Sequence, residues 1–388
     1  MLKTQVGWSK AASGPDAGRE AAGRAMENLA DAALAVVYAS PDYDQAALLA
    51  GVQEVVGATP LIGCTSFNGV LTADGFVSGK EGYCAVMVLA DSELKVAVAG
   101  AENGGDARAA GRQAARDALA QQAGPGAPAF FFMIAPPGEE EAYLKGIEDV
   151  VGRVPFFGGS SGDNTMEGLM RQYANGQVIG SGVAVAFFYT DKPFANCYTG
   201  AYRATGKNGI ITKVDNRRTL LEIDGQPALA VYAKWRGMEV DRLKGGDLLL
   251  ATIHAPLGVV DSEGDLTWIR HPVSGNSDLS MSVGNDLAEG TAVCLMEATT
   301  DELVASVGAA VAEAKARLGG EPGALFLIHC AGRSIGIGDR MDEVVAGIKA
   351  TVGELPFAGA LTFGEYGYGH WTRNGCGGLT LSVFMLAR

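Results

Sequence analysis

GVQEVVGATP at 51–60, GIEDVVGRVP at 146–155 and GIKATVGELP at 347–356 share the pattern Gly–(Val/Ile)–x–x–(Val/Thr)–Val–Gly–x–x–Pro. After each proline come two mostly apolar residues, a glycine, and a small or polar cluster. The clusters are Cys64-Thr65-Ser66, Gly159-Ser160-Ser161-Gly162-Asp163 and Ala360-Leu361-Thr362-Phe363-Gly364-Glu365. A repeat this regular is one supersecondary unit built three times.

Working outward, LAVVYASP (34–41) and AFFFMIAPP (129–137) are short apolar strands stopped at proline, and a helix follows each. Leu48, Leu49, Val52, Val55 and Val56 have the 3–4 spacing of a buried helix face, as do Tyr143, Leu144, Ile147, Val150 and Val151. Val344, Val345, Ile348 and Val352 repeat it in the third copy. Gly51, Gly146 and Gly347 fall mid-helix, where glycine costs about 1 kcal/mol against alanine, so close backbone packing against the sheet is expected. Gly57, Gly152 and Gly353 suit a helix stop. A further helix precedes each unit (18–30, 111–122, 311–319) and a glycine-led strand ends it. Between copies two and three, roughly 190–310, lies a β-rich insertion: GIITKV and TLLEID flank Asn216-Arg217-Arg218 as a hairpin, GDLLLATI and TAVCLME read as strands, and PALAVYAKW (227–235) as a short helix.

The expected class is α/β, with mixed, mainly parallel sheets from repeated helix–strand–helix–strand units plus antiparallel strands. The division follows the copies: a lobe of two at 1–200, and a lobe of insertion plus third copy at 201–388. Parallel strands put their carboxyl ends on one edge, where ligands of α/β sheets bind. The polar clusters meet there with the loops Ser40-Pro41-Asp42, Pro136-Pro137-Gly138 and Cys330-Ala331-Gly332-Arg333.

The 388 residues are 48% hydrophobic and 19% charged, the make-up of a packed globular chain. A net charge of −14 without a Lys/Arg cluster argues against nucleic acid. Apolar runs such as VAVAFFY (183–189) are strand-length, too short to cross a membrane. Six scattered cysteines with no CxxC, and an N-terminus without an apolar signal segment, point to the cytoplasm.

The third copy carries six extra residues in HCAGRSIGIGDRM (329–341), a glycine-rich loop whose Arg333 either grips an anion or pairs with Glu365 or Asp163. Gly158-Gly159-Ser160-Ser161-Gly162 matches GxSxG, so serine hydrolysis stays open; that elbow needs a helix straight after the serine. Cys64 and Cys376 are possible nucleophiles with no histidine placed beside them. The histidines His254, His271, His329 and His370 admit a non-covalent haem on one axial ligand.

TPLIGCTSFNG (59–69), PFFGGSSGDN (155–164), LLEIDGQPALAVY (220–232), CAGR (330–333) and PFAGALTFGEYG (356–367) together resemble motifs of the FIST family, its FIST N and FIST C sensory domains. The resemblance covers nearly the whole chain. It implies a cytoplasmic, non-enzymatic sensor of a small molecule such as an amino acid, acting on a histidine kinase or a cyclic-dinucleotide enzyme. Stand-alone, NosP-type members sense nitric oxide through haem, which makes haem the alternative cofactor. Phe67-Asn68-Gly69 departs from the family's Ala-Gly-Glu, and Cys376-Gly377-Gly378-Leu379-Thr380 from its Asn-(His/Gln)-Thr. The candidate ligand contacts are Cys64, Thr65, Ser66, Gly158, Gly159, Ser160, Ser161, Asp163, Asn164, Cys330, Arg333 and Glu365.

Overall fold

The computed structural model describes every residue except Gln122, Pro125, 261–265 and 370–372. Each repeat is a strand, a helix, a strand, a second helix, a strand, a β-hairpin and a closing strand. Unit one runs Lys3–Ser9, Gly14–Met26, Ala32–Ala39, Gln45–Val56, Leu61–Thr65, the hairpin Val70–Thr72/Gly75–Val77, and Cys84–Ala90. Unit two repeats this from Lys95–Glu102 to Gly182–Tyr189, and unit three from Phe194–Thr199 to Leu381–Ala387. The insertion sits inside unit three, after its first strand.

In the sheet of each unit two neighbouring strands pair in parallel, as Ala32–Ala39 does with Leu61–Thr65, and antiparallel strands flank them, whereas the insertion's own sheet is antiparallel throughout its described pairs. The hairpins do not stay at home. That of unit one pairs with Ala358–Thr362 of unit three. Gln172–Ala174/Gln177–Ile179 of unit two extends the sheet of unit one, and Gly364–Gly369/Arg373–Gly377 of unit three extends that of unit two. The exchange is cyclic, and strand pairing therefore crosses residue 200. Alternate residues of all three sheets, among them Val36, Phe132, Phe157, Phe326 and Phe384, meet in one central core. The opposite sheet faces pack on the helix pairs in three outer cores. The insertion keeps its own core around Leu220, Leu229, Tyr232 and Leu257.

Four elements differ from expectation. The opening strand of each unit was not foreseen; Lys3–Ser9 alternates buried and exposed residues, so its polar half conceals it. Within GDLLLATI the residues Asp247–Thr252 are helical, because a short leucine run fits a buried helix turn as well as a strand. The glycine-rich loop after His329 is a helix, Ala331–Ile337, followed by a 3₁₀ turn. The mid-helix glycines pack against the partner helix rather than the sheet: a Cβ on Gly51 would lie 2.2 Å from Pro15 O, and one on Gly146 2.1 Å from Arg108 O. Gly57, Gly152 and Gly353 do end their helices, at φ of 61°, 73° and 63°.

Candidate functional site

The three clusters do converge at the carboxyl edge. Phe67 N donates to Leu361 O at 2.9 Å, Gly162 N to Thr65 O at 2.9 Å, and Phe363 N to Ser160 O at 3.0 Å. Each unit thus bonds the next through equivalent atoms, and this ring closes the end of the central core. Gly162 is required there: a Cβ would stand 2.9 Å from Leu361 O and 3.0 Å from Phe67 N.

Most of the candidate side chains are spent on this closure. Ser66 Oγ donates to Gly69 O (2.6 Å) and accepts from Leu361 N (2.8 Å); Thr65 Oγ1 accepts from Arg171 N (3.0 Å). Buried Asp163 accepts from four backbone N–H groups, those of Thr165, Met166, Gly168 and Leu169, and so organises its own loop. Asn164 ties Asn68 N and Tyr83 to Asp42. Ser161 Oγ meets the Gln172 amide at 2.5 Å. Gly158 and Gly159 are strand residues, Gly159 facing Ile328 and Thr362. Cys64, Cys330 and Cys376 are buried free thiols pushed up by desolvation, away from the nucleophilic thiolate.

Arg333 is not on the edge. It is fully buried and donates to Gly200 O, Leu303 O (3.1 Å) and Ser306 Oγ (2.6 Å), with its guanidinium over Tyr202. It pairs with neither Glu365 nor Asp163; it fastens helix Thr300–Arg317 to the start of the insertion. Glu365 stays at the edge. Its oxygens accept from Thr362 Oγ1 (2.9 Å), Thr380 N (2.9 Å) and Thr380 Oγ1 (3.0 Å), and burial pushes its carboxyl up to about 8.

Ser160 makes side-chain contacts that its counterparts Thr65 and Leu361 do not. Its Oγ donates to Glu140 Oε1 (3.2 Å) and meets Tyr366 OH (2.7 Å). Glu140 opens helix Glu140–Val151, is buried, accepts from Gly138 N (2.9 Å), and is held by Arg218 Nη2 at 2.7 Å. Desolvation raises the Glu140 carboxyl, and Arg218 opposes it. Arg218 also reaches Glu141 (2.5 Å) and Asp286 (3.3 Å), from the tight turn between Arg203–Asp215 and Thr219–Ile223. Asn216 and Arg217 before it take positive φ, 40° and 65°, which aims it at unit two. Behind the turn, buried Arg270 donates to Cys376 O (3.1 Å) and Asp286 O (3.0 Å). The insertion therefore covers the carboxyl edge of unit two through a seam of arginines and carboxylates.

Ser160 ends its strand, and no helix begins before Ala228, so the GxSxG stretch is not a nucleophile elbow. Among the described residues no histidine bonds Ser160. His271 and His329 are buried and held near 4 and 3 by desolvation, with His271 Nε2 on Leu249 O and His329 Nδ1 on Cys330 O. His254 lines a cavity with Arg203, Lys207, Arg236 and Glu297, and its Nδ1 meets Ala298 O at 3.1 Å. His370 lies outside the described residues. No described group of side chains could hold a metal ion, and no described helix is long and apolar enough to cross a membrane.

Glu140, Tyr366 and Arg218 were missed in the sequence. Only the repeat could have flagged them: Gln45, Glu140 and Met341 open equivalent helices, and Tyr173, Tyr366 and Leu71 lie opposite Gly63, Gly158 and Gly359 in the borrowed hairpins.

Compared with known proteins, the chain matches the FIST N domain over residues 33–226 and the FIST C domain over 228–368. No curated protein matches it. The crystal structure of a cyanuric acid hydrolase from A. caulinodans is 14% identical, with 100% of this chain and 99% of that chain covered, at a TM-score of 0.32, too low to bear on fold or activity. FIST domains are sensory domains of signal-transduction proteins that bind small ligands. With the two matches spanning nearly all of it, this chain belongs to the FIST family.

Proposed function

We propose that this chain is a small-molecule sensor whose ligand binds where the insertion covers unit two, between Glu140, Ser160 and Tyr366 on one side and Arg218 on the other. The proposal rests on the divergence of equivalent positions. In unit one the place of Glu140 is taken by Gln45, whose amide is saturated by Ser40 O, Pro41 O, Tyr43 O and the Tyr173 hydroxyl. In unit three it is taken by Met341, packed in the outer core. The scaffold is complete with an amide or a hydrocarbon at that position, and of the three units only unit two buries an ionisable group at it. Its compensating charge comes from a separate module, so an incoming ammonium, such as that of an amino acid, would compete with Arg218 for Glu140 and loosen the insertion. That loosening is a signal a cytoplasmic histidine kinase or cyclic-dinucleotide enzyme could read.

A melting screen of amino acids and simple amines tests this. Ligand at about a hundred times its dissociation constant adds about 2.7 kcal/mol of stability. Glu140→Gln and Ser160→Ala should remove the shift while the variants still melt cooperatively. A well-folded protein that no amino acid or amine stabilises refutes the proposal. The purified protein's absorption spectrum belongs beside the screen: a Soret band lost in His254→Ala or His370→Ala would move the reading to a haem-bound sensor.

A further inference from the structure

A second cavity, of about 590 Å³, lies between the insertion and the start of helix Thr300–Arg317, away from the seam at Glu140. Its wall carries Arg203, Lys207 and Arg236 with the carboxylate of Glu297, and Glu302 reaches Arg203 from beside it, which leaves a local excess of cations in a chain whose net charge is −14. We propose that this cavity binds the phosphate group of a small molecule.

The backbone is bent to make the wall. Pairing between Arg203–Asp215 and Ala292–Glu297 slips register between Ala204 and Asn208, and Thr205, Gly206 and Lys207 bulge out, with Gly206 at φ 80°. Bulges of this kind re-aim side chains beside sites. Lys207 bonds Trp235 O near the end of helix Ala228–Arg236, which is ordinary neutralisation of a helix terminus and taken alone would carry nothing. The two arginines go beyond that need. Among the described residues Arg236 spends only Nη1, on Ala251 O (2.8 Å) and Tyr232 OH (3.0 Å), and its Nε and Nη2 have no partner there. Arg203 is half exposed and pairs with Glu297 (3.0 Å) and Glu302 (3.3 Å), surface contacts that contribute little and are readily exchanged for a bound anion. Two guanidiniums and an ammonium around one space fit a dianionic phosphate better than a single carboxylate, since planar forks bind phosphate oxygens in pairs.

The source of the phosphate is settled by two probes, inorganic phosphate and adenosine monophosphate, titrated calorimetrically into the full chain at low, matched ionic strength. Binding is expected, weakened about tenfold in Arg236→Gln and in Lys207→Gln, and unchanged in the remote surface variant Arg116→Gln. Much tighter binding of the nucleotide identifies a phosphorylated metabolite; equal binding identifies free phosphate. The proposal falls if neither probe binds at millimolar concentration, if Lys207→Gln binds as the parent does, or if Arg116→Gln loses as much as the cavity variants. Circular dichroism and melting without ligand establish that each variant is folded; should Arg236→Gln unfold, Lys207→Gln decides.

Discussion

Glu365 shows how one buried side chain ties stability to pH. Its carboxyl is pushed up from 4.5 to about 8, first by burial. Between those values the native protein keeps a proton that the unfolded chain has released. This contribution to stability is therefore fully present below about 4.5 and lost as pH rises toward 8, with a limiting slope of about 1.4 kcal/mol per pH unit. Glu365→Gln carries the neutral form at every pH. Urea midpoints of parent and variant should diverge between pH 5 and pH 8, with the variant gaining; parallel curves would show that the Thr362 and Thr380 hydroxyls already solvate the charge. The residue was legible as a candidate from its place in the third cluster. Its partner Thr380 was not, because it lies fifteen residues on, just before the closing strand Leu381–Ala387, and nothing local joins the two.

Among the elements, the segments that meet on the closing ring are the most tightly constrained. Gly162→Ala would press a methyl group into the crossing between Leu361 O and Phe67 N, and overpacking of this kind costs about 1–3 kcal/mol. Gly180→Ala, with nothing within 4 Å of the added carbon, is the control and should change little. Chemical denaturation of the two variants checks this, and equal midpoints would mean that the ring yields. Much of the element pattern could be read in advance: the helix faces, the glycine stops and the parallel pair all follow from local spacing. What could not be read is where each hairpin goes. Val70–Thr72 and Gly75–Val77 have the local chemistry of any hairpin, and their choice of Ala358–Thr362 over their own sheet depends on contacts almost three hundred residues away. Arg218 was hidden for the same reason. Its turn was foreseen, but nothing local says that it reaches Glu140.

At the scale of the molecule, borrowed hairpins make the units interdependent. A fragment of residues 1–200 would keep the hairpin of unit one without its seat in unit three, and would leave Phe156–Ser160 an uncovered edge. Such a fragment should show no cooperative melting and should gain it when coexpressed with 201–388. A 1–200 fragment that melts cooperatively alone would show that the exchange is dispensable. The cyclic exchange has one more consequence. Three copies of a single unit could trade hairpins in the same circle as a homotrimer, but there every substitution would arrive in triplicate. A glutamate at the helix start would then bring three buried carboxylates, each needing a cation. With the circle drawn by one continuous chain, glutamine, glutamate and methionine hold the three equivalent stations. The covalent link between units is thus what frees one station to become chemically demanding while the other two remain plain structure.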